Sequence, residues 1–244
     1  MKRFTKLLAI GLTAVCLTGC LTACKVNKTV DPNPGANANS PVNEADVESL
    51  ADNQTMTGGW TTAESTEVTA AQKKYFKDAI TPINGYFFEP VALLGTQVVS
   101  GTNYVFLCKS TLDGSNASHA MKYTYIYVNL QGEAKFLGDK DVTLPGFDGE
   151  QKSGGWEFAA DPTVTEDVKK VVEKASSKVL GAKYEAVAYI GSQVVAGRNH
   201  MILVKSTPLT RENAPGSLIL ITVYEDLQGN CQITETTDVN LNFG

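Results

Sequence analysis

The sequence predicts an α+β protein in which one unit is used twice, each unit an antiparallel β-sheet meander wrapped around one α-helix. Three observations predict it. Blocks of residues recur at a near-constant offset along the chain. Each copy opens with apolar residues at helical spacing. Four β-branched and aromatic runs then follow, separated by glycine or polar breaks. One helix and then a series of neighbouring strands is the pattern of a meander with a helix on one face.

The repeat comes first, because internal duplication decides architecture before local propensity does. Gly58-Gly59-Trp60 returns as Gly154-Gly155-Trp156, an offset of 96. Gly95-Thr96-Gln97-Val98-Val99-Ser100-Gly101 returns as Gly191-Ser192-Gln193-Val194-Val195-Ala196-Gly197 at the same offset. Lys109-Ser110-Thr111 matches Lys205-Ser206-Thr207. Leu130-Gln131-Gly132 matches Leu227-Gln228-Gly229 at offset 97, so one residue has been gained in the segment between the last two blocks. The copies run over 58–144 and 154–244, joined by a linker at 145–153.

Within copy one, Val68, Gln72, Tyr75, Phe76 and Ala79 fall three and four apart, and Val164, Val168, Val171, Val172 and Ala175 do so in copy two. That spacing places each set on one face of a helix. Thr163 and Glu166 have capping-box spacing at the start of the second helix, and Pro82 and Gly181 mark the helix ends. Strands are expected near 87–99, 103–111, 121–129 and 133–144, and near 184–195, 199–207, 217–226 and 231–241. Tyr123, Tyr125 and Tyr127 alternate with Thr124, Ile126 and Val128, as in a strand with two distinct faces.

The first residues have a different character. Met1-Lys2-Arg3 and Lys6 precede an apolar run from Leu7 to Leu17, the form of a secretory signal over 1–19. Leu17-Thr18-Gly19-Cys20 follows, and then Leu21-Thr22-Ala23-Cys24. Either has the look of a bacterial lipobox, with Cys20 (or Cys24) as the lipid anchor. The other reading of Leu7–Cys24 is an uncleaved membrane span, which its 18 residues would just reach. Residues 20–57 contain Pro32, Pro34, Pro41 and several asparagines but no aromatic residue, a composition that favours a disordered tether. The expected location is the extracellular face of a bacterial membrane, with the lipid as the membrane contact.

Composition narrows the function. A net charge of −5 and the lack of a basic run give nothing that attracts nucleic acid or an anionic membrane surface. The chain has two histidines, His119 and His200, and neither recurs in the other copy. No metal-ligand spacing, phosphate loop or nucleophile motif is present. Neither catalysis nor a cofactor or metal is expected. Of five cysteines, three lie in the export segment, and Cys108 and Cys231 stand at non-equivalent positions, as small core residues do.

The recurring short elements therefore carry the functional reading. Turns of a meander alternate between the two ends of the sheet, so the first and third turns share an end. Gln97–Gly101 is the first turn of copy one and Leu130–Gly132 the third; Gln193–Gly197 and Leu227–Gly229 are their counterparts. Their glycines permit tight turns, and exposed valines at a loop tip suit docking into an apolar cleft.

Gln193-Val194-Val195-Ala196-Gly197 resembles the Gln-x-Val-x-Gly hairpin of the cystatins, inhibitors of papain-like cysteine proteases. Tyr184-Glu185-Ala186-Val187 and Asn199 are similar to the stefin type. Gly154-Gly155 resembles the glycine of the family's N-terminal trunk, and Asp226-Leu227-Gln228-Gly229 its second hairpin. Copy one matches through Gly58-Gly59, Gln97-Val98-Val99-Ser100-Gly101 and Leu130-Gln131-Gly132. The resemblance implies two tandem cystatin-like domains. It also implies an inhibitor of papain-like proteases whose trunk and two hairpins fill the cleft as a wedge. The wedge would be Gly58, Gly59, Gln97, Val98, Val99, Ser100, Gly101, Leu130, Gln131 and Gly132. In copy two it would be Gly154, Gly155, Gln193, Val194, Val195, Ala196, Gly197, Leu227, Gln228 and Gly229. The alternative is a cell-surface binding module or spacer that inhibits no protease. Trp60 and Trp156 are read as sheet-covering residues rather than partner contacts.

Overall fold

The computed structural model describes residues 58–114, 119–146, 154–209 and 216–242, all within the compact unit Asn53–Gly244. The export segment, the tether, the lipid-anchor cysteine (Cys20 or Cys24) and residues 147–153 of the linker lie outside them. Copy one comprises β1 (Trp60–Thr62), α1 (Ala70–Ile80), β2 (Tyr86–Val99), β3 (Gly101–Leu112), β4 (His119–Val128) and β5 (Ala134–Asp141). Copy two comprises β6 (Trp156–Phe158), α2 (Glu166–Ser176), β7 (Ala182–Val195), β8 (Gly197–Pro208), β9 (Ser217–Glu225) and β10 (Cys231–Asp238). Each forms a five-stranded antiparallel sheet, ordered β1-β2-β3-β4-β5 and β10-β9-β8-β7-β6.

Local chemistry explains the helices. Thr69 caps α1 with a complete capping box: its side chain accepts from Gln72 N–H, and the Gln72 side chain accepts from Thr69 N–H. Thr165, not Thr163, caps α2, accepting from Val168 N–H at 3.3 Å. Thr163 instead gives its N–H to Asp161 Oδ1 in the turn before the helix, so the chain has not yet entered helical geometry there. The helices end at Ile80 and Ser176, short of the proline and glycine breakers, because Thr81 and Ser177 already close the last turn with hydroxyl bonds to the Lys77 and Lys174 carbonyls.

The architecture corrects the expected fold class. The chain is not an α+β pair of cystatin-like domains, each a meander wrapped around its own helix. The described residues form a β-rich fold of two five-stranded antiparallel sheets, with two helices of 11 residues each. The reason lies in the strands. An 11-residue helix is only about 16 Å long, and it covers part of one sheet face. The opposite face is equally apolar, and it is buried against the other sheet.

Alternation along β3 shows this division. Phe106 and Cys108 point to the α1 side, where they join Phe76, Ala79, Leu93 and Ile126. Val105 and Leu107 point the other way, into a cluster with Leu94, Met121 and Tyr125 that also contains Trp156, Ile190, Met201 and Leu203 of the second copy. Strand β8 divides likewise: Ile202 and Val204 pack with Val171 and Val172 of α2, while Met201 and Leu203 enter the shared cluster. Both tryptophans belong to this middle layer, with Trp60 edge-on to Tyr125 at 5.7 Å.

Two lysines tie the sheets reciprocally. Lys109 donates to the Ala160 carbonyl. Its repeat counterpart Lys205 donates to the carbonyls of Ala63 (3.2 Å) and Glu64 (2.5 Å). Ala160 and Glu64 are themselves counterparts at the repeat offset of 96. The contact surface is therefore self-complementary, as between the halves of a twofold dimer.

A change in this middle layer should reach both copies. Leu203→Ala, at a site with no solvent exposure, is expected to cost about 2–5 kcal/mol. In a Trp156→Phe background Trp60 is the remaining tryptophan. Urea titration followed by its fluorescence should then show an earlier midpoint on Leu203→Ala, although the two residues belong to different copies. An unmoved Trp60 transition would show that the copies melt separately.

Candidate functional site

The strand order brings the recurring elements to one end of each sheet. Trp60 pairs with Gln97 and Thr62 with Gly95, so the chain before β1 runs toward the β2–β3 tip. Val99 pairs with Gly101 across that tip. Strand β4 pairs Val128 with Thr102 and ends at the same level, and Leu130–Gly132 turns the chain into β5. Trp156 pairs with Gln193 and Val195 with Gly197 in the same way. Gly58, Val98–Gly101 and Leu130–Gly132 thus form one row, and Gly154, Val194–Gly197 and Leu227–Gly229 form another.

The apolar side chains of these rows face water. Val98, Val99 and Leu130 are 55%, 42% and 80% exposed, and Val194, Val195 and Leu227 are 63%, 43% and 78% exposed. Ser100, Ala196, Gln131 and Gln228 are exposed beside them, while Gly59 and Gly155 are half-buried where β1 and β6 begin.

Polar side chains fix the backbone under each row. Gln97 Nε2 donates to the Gly58 carbonyl at 2.5 Å, and Asn103 Nδ2 donates to Gln97 Oε1 at 2.7 Å. The second copy repeats both bonds, from Gln193 to Gly154 at 3.0 Å and from Asn199 to Gln193 at 2.9 Å. The motif glutamine is therefore a clamp that joins the trunk to the first hairpin. Tyr127 on β4 donates to the Ser100 carbonyl, and Tyr224 donates to the Ala196 carbonyl at 2.6 Å, pinning each hairpin tip from the neighbouring strand.

The glycines are required for two reasons. Gly101 and Gly197 have φ of 125° and 124°, a region L-residues avoid. A Cβ at either would also collide with the carbonyl of Val128 or Glu225. In the second hairpin, Asn129 Oδ1 accepts from Gln131 and Glu133 N–H, and Asp226 Oδ1 accepts from Gln228 and Asn230 N–H. These Asx turns set Gly132 and Gly229 at φ 84° and 78°.

The sequence singles out the tips, the motif glutamines and Asn199, but not Asn103, Tyr127 and Tyr224 as supports. Tyr127 and Tyr224 recur at the hairpin offset of 97, and Asn103 and Asn199 at 96, so recurrence was the signal available for them. Gly95 and Gly191 open the recurring hairpin block. A Cβ there would meet the Thr61 or Glu157 carbonyl, so they let the short first strand of each sheet approach.

Copy two has one further polar feature. His200 is buried between Tyr189 Oη (2.9 Å from Nδ1) and Glu225 Oε2 (3.1 Å from Nε2). It borders a cavity of about 500 Å³ beside α2 that Arg198 also lines. The repeat offset of 96 puts Leu93 and Tyr104 at the positions of Tyr189 and His200 in copy one. Among the described residues no group of His, Cys, Asp and Glu is arranged to hold a metal. Cys108 and Cys231 are free thiols in different clusters, and burial pushes the Cys108 thiol far above its ordinary range.

No family model matches the chain, and no curated protein matches it. One similar solved structure is an "Ntf2 like protein involved in plasmid conjugation", at 9% identity, covering 65% of this chain and 82% of that one with a TM-score of 0.20. That likeness is too slight to carry an argument about fold or function.

His200 gives a pH test. Burial holds its pKa below 6.5, against the opposing hydrogen bond and charge of Glu225. The folded state thus favours the neutral ring. Its contribution is complete above about pH 6.5, the unfolded value, and is lost as pH falls through the lowered folded value. Thermal midpoints should fall from pH 7 to pH 5 in the natural chain. They should fall less in His200→Gln, which retains a polar side chain without the titration. Equal pH slopes in the two proteins would remove His200 from this role.

Proposed function

We propose that each hairpin row is a preformed docking wedge, and that its partner is a papain-like cysteine protease whose cleft it fills without presenting a cleavable bond. One observation carries the reading. Trunk glycine, Val-Val hairpin and Leu hairpin converge at one end of each sheet with the apolar side chains exposed and the backbone beneath them cross-linked by side chains. Clustered apolar groups on a monomer's surface mark an interaction site. A backbone already in its bound geometry loses little entropy on docking. The likeness of Gln193–Gly197 and Gln97–Gly101 to the protease-binding hairpin supports the choice of partner.

In this reading the chain inhibits by occupancy and has no catalytic chemistry of its own. It would be displayed outside a bacterial membrane through a lipid on Cys20 or Cys24. Because the two sheets share a buried layer, the intact tandem, rather than a separated half, is the functional unit.

The test is inhibition of papain by the intact chain, assayed with a small peptide substrate. Inhibition is expected at micromolar concentration or below. Val98→Asp combined with Val194→Asp should abolish it while shifting stability by no more than about 0.5 kcal/mol, as surface changes do. The single variants then report which row acts. Full papain activity in the presence of the natural chain would exclude this partner and leave a surface-binding module that inhibits no such protease.

A further inference from the structure

We infer that one chain engages two partner molecules at once, because its two hairpin rows face opposite ends of the layered body. The inference rests on the docking reading above and adds its stoichiometry: two papain-like proteases held by one chain. The placement follows from contacts between the copies. Strand β10 runs away from the hairpin row of copy two, from Cys231 beside Glu225 to Asp238 beside Ile219. Val239 continues this course by donating its N–H to the Leu218 carbonyl. Leu241 then meets Gly95 of copy one, where a Cβ would stand. Gly95 lies four residues from Val99, at the tip of β2. The far end of the second sheet therefore lies over the near end of the first.

The two lysine contacts repeat the pattern from both sides. Lys109 is eight residues from Gly101 along β3, and the carbonyl it reaches is that of Ala160. The neighbouring Ala159 donates its N–H to the Ile190 carbonyl, five residues from Val195. Lys205 is likewise eight residues from Gly197 along β8, and it reaches the Ala63 carbonyl. Ala63 donates its N–H to the Leu94 carbonyl, five residues from Val99. Each lysine thus stands far from its own row and bonds a carbonyl closer to the other one. About 13 strand positions separate the tips, on the order of 45 Å at the usual rise.

Neither row is covered by the other copy. Val98, Val99, Leu130, Val194, Val195 and Leu227 stay exposed in the packed tandem. A globular partner of about 200 residues has a radius of gyration of about 17 Å. Two such partners approaching opposite ends are kept apart by the body between them. Rows at the same end, on sheets about 10 Å apart, would admit one. The repeat therefore supplies two separately reachable wedges rather than one enlarged contact.

Two measurements on the intact chain test it. Gln131 and Gln228 are exposed at the two tips, and spin labels carried there on an introduced ketone amino acid leave the natural cysteines untouched. Their separation should be on the order of 45 Å; one below about 25 Å would set both rows at one end, on sheets about 10 Å apart, and overturn the inference. Light scattering with saturating papain should give two papain molecules per natural chain, and one per chain for Val98→Asp or Val194→Asp alone. One papain per natural chain would overturn the inference and keep the docking reading. The single variants then tell why: both still bind one if the rows exclude each other, and one of them binds none if a row is inert. No papain bound would remove the docking reading, and the inference with it.

Discussion

Apolar side chains line both faces of the central strands, and both faces must leave water. In β3 the sequence Val105-Phe106-Leu107-Cys108 is buried without a break, and so is Met201-Ile202-Leu203-Val204 in β8. One helix per copy shields one face. The other face finds its cover in the sheet of the second copy, and the result is a layer of side chains drawn from both repeats. Full burial of each large aliphatic group there is worth about 1.5–3 kcal/mol, so exposing the layer by separating the copies would cost far more than a domain's usual margin of about 5–15 kcal/mol. Lys109 and Lys205 close the edges of the layer by reaching across to carbonyls of the opposite copy.

With both faces of each sheet committed to packing, the strand ends are left for recognition. The hairpin rows are built at such ends, and their order is computed by topology: trunk, first turn, third turn. Their support comes from side chains at the last buried level rather than from the tips themselves. Gln97 and Gln193 bridge trunk and hairpin, and Tyr127 and Tyr224 hold the tip carbonyls. The opposite strand ends differ between the copies, aromatic in one and not in the other. The two repeats are thus alike at one end and differ at the other.

Much of this was legible in the residues. The duplication, the helix in each copy and the hairpin positions follow from recurrence, from three-and-four spacing and from glycine placement, all of which are local signals. The layer between the sheets was not read, because the alternation of Tyr123, Tyr125 and Tyr127 with Thr124, Ile126 and Val128 suggests one face in and one face out. Met121 and Tyr125 are in fact buried between the sheets, while Ile126 and Val128 are buried under α1. The unbroken runs in β3, β8 and β9 were the available sign, since a strand covered on both sides loses its polar alternation. The recurrence of Lys109 as Lys205 was visible too, but its meaning depends on a contact between copies that no local pattern encodes. Thr163 has capping-box spacing to Glu166, but the turn at Asp161 holds Thr163 and leaves the cap to Thr165.

One shared apolar layer makes the two repeats a single cooperative body. Amide hydrogen exchange in the full chain under native conditions tests it most directly. Core amides of β3 and of β8 should open with the same free energy and respond equally to low denaturant, as members of one unit do. If the β8 amides exchanged through an opening that left β3 protected, or the reverse, the repeats would be separate domains and the account would be wrong.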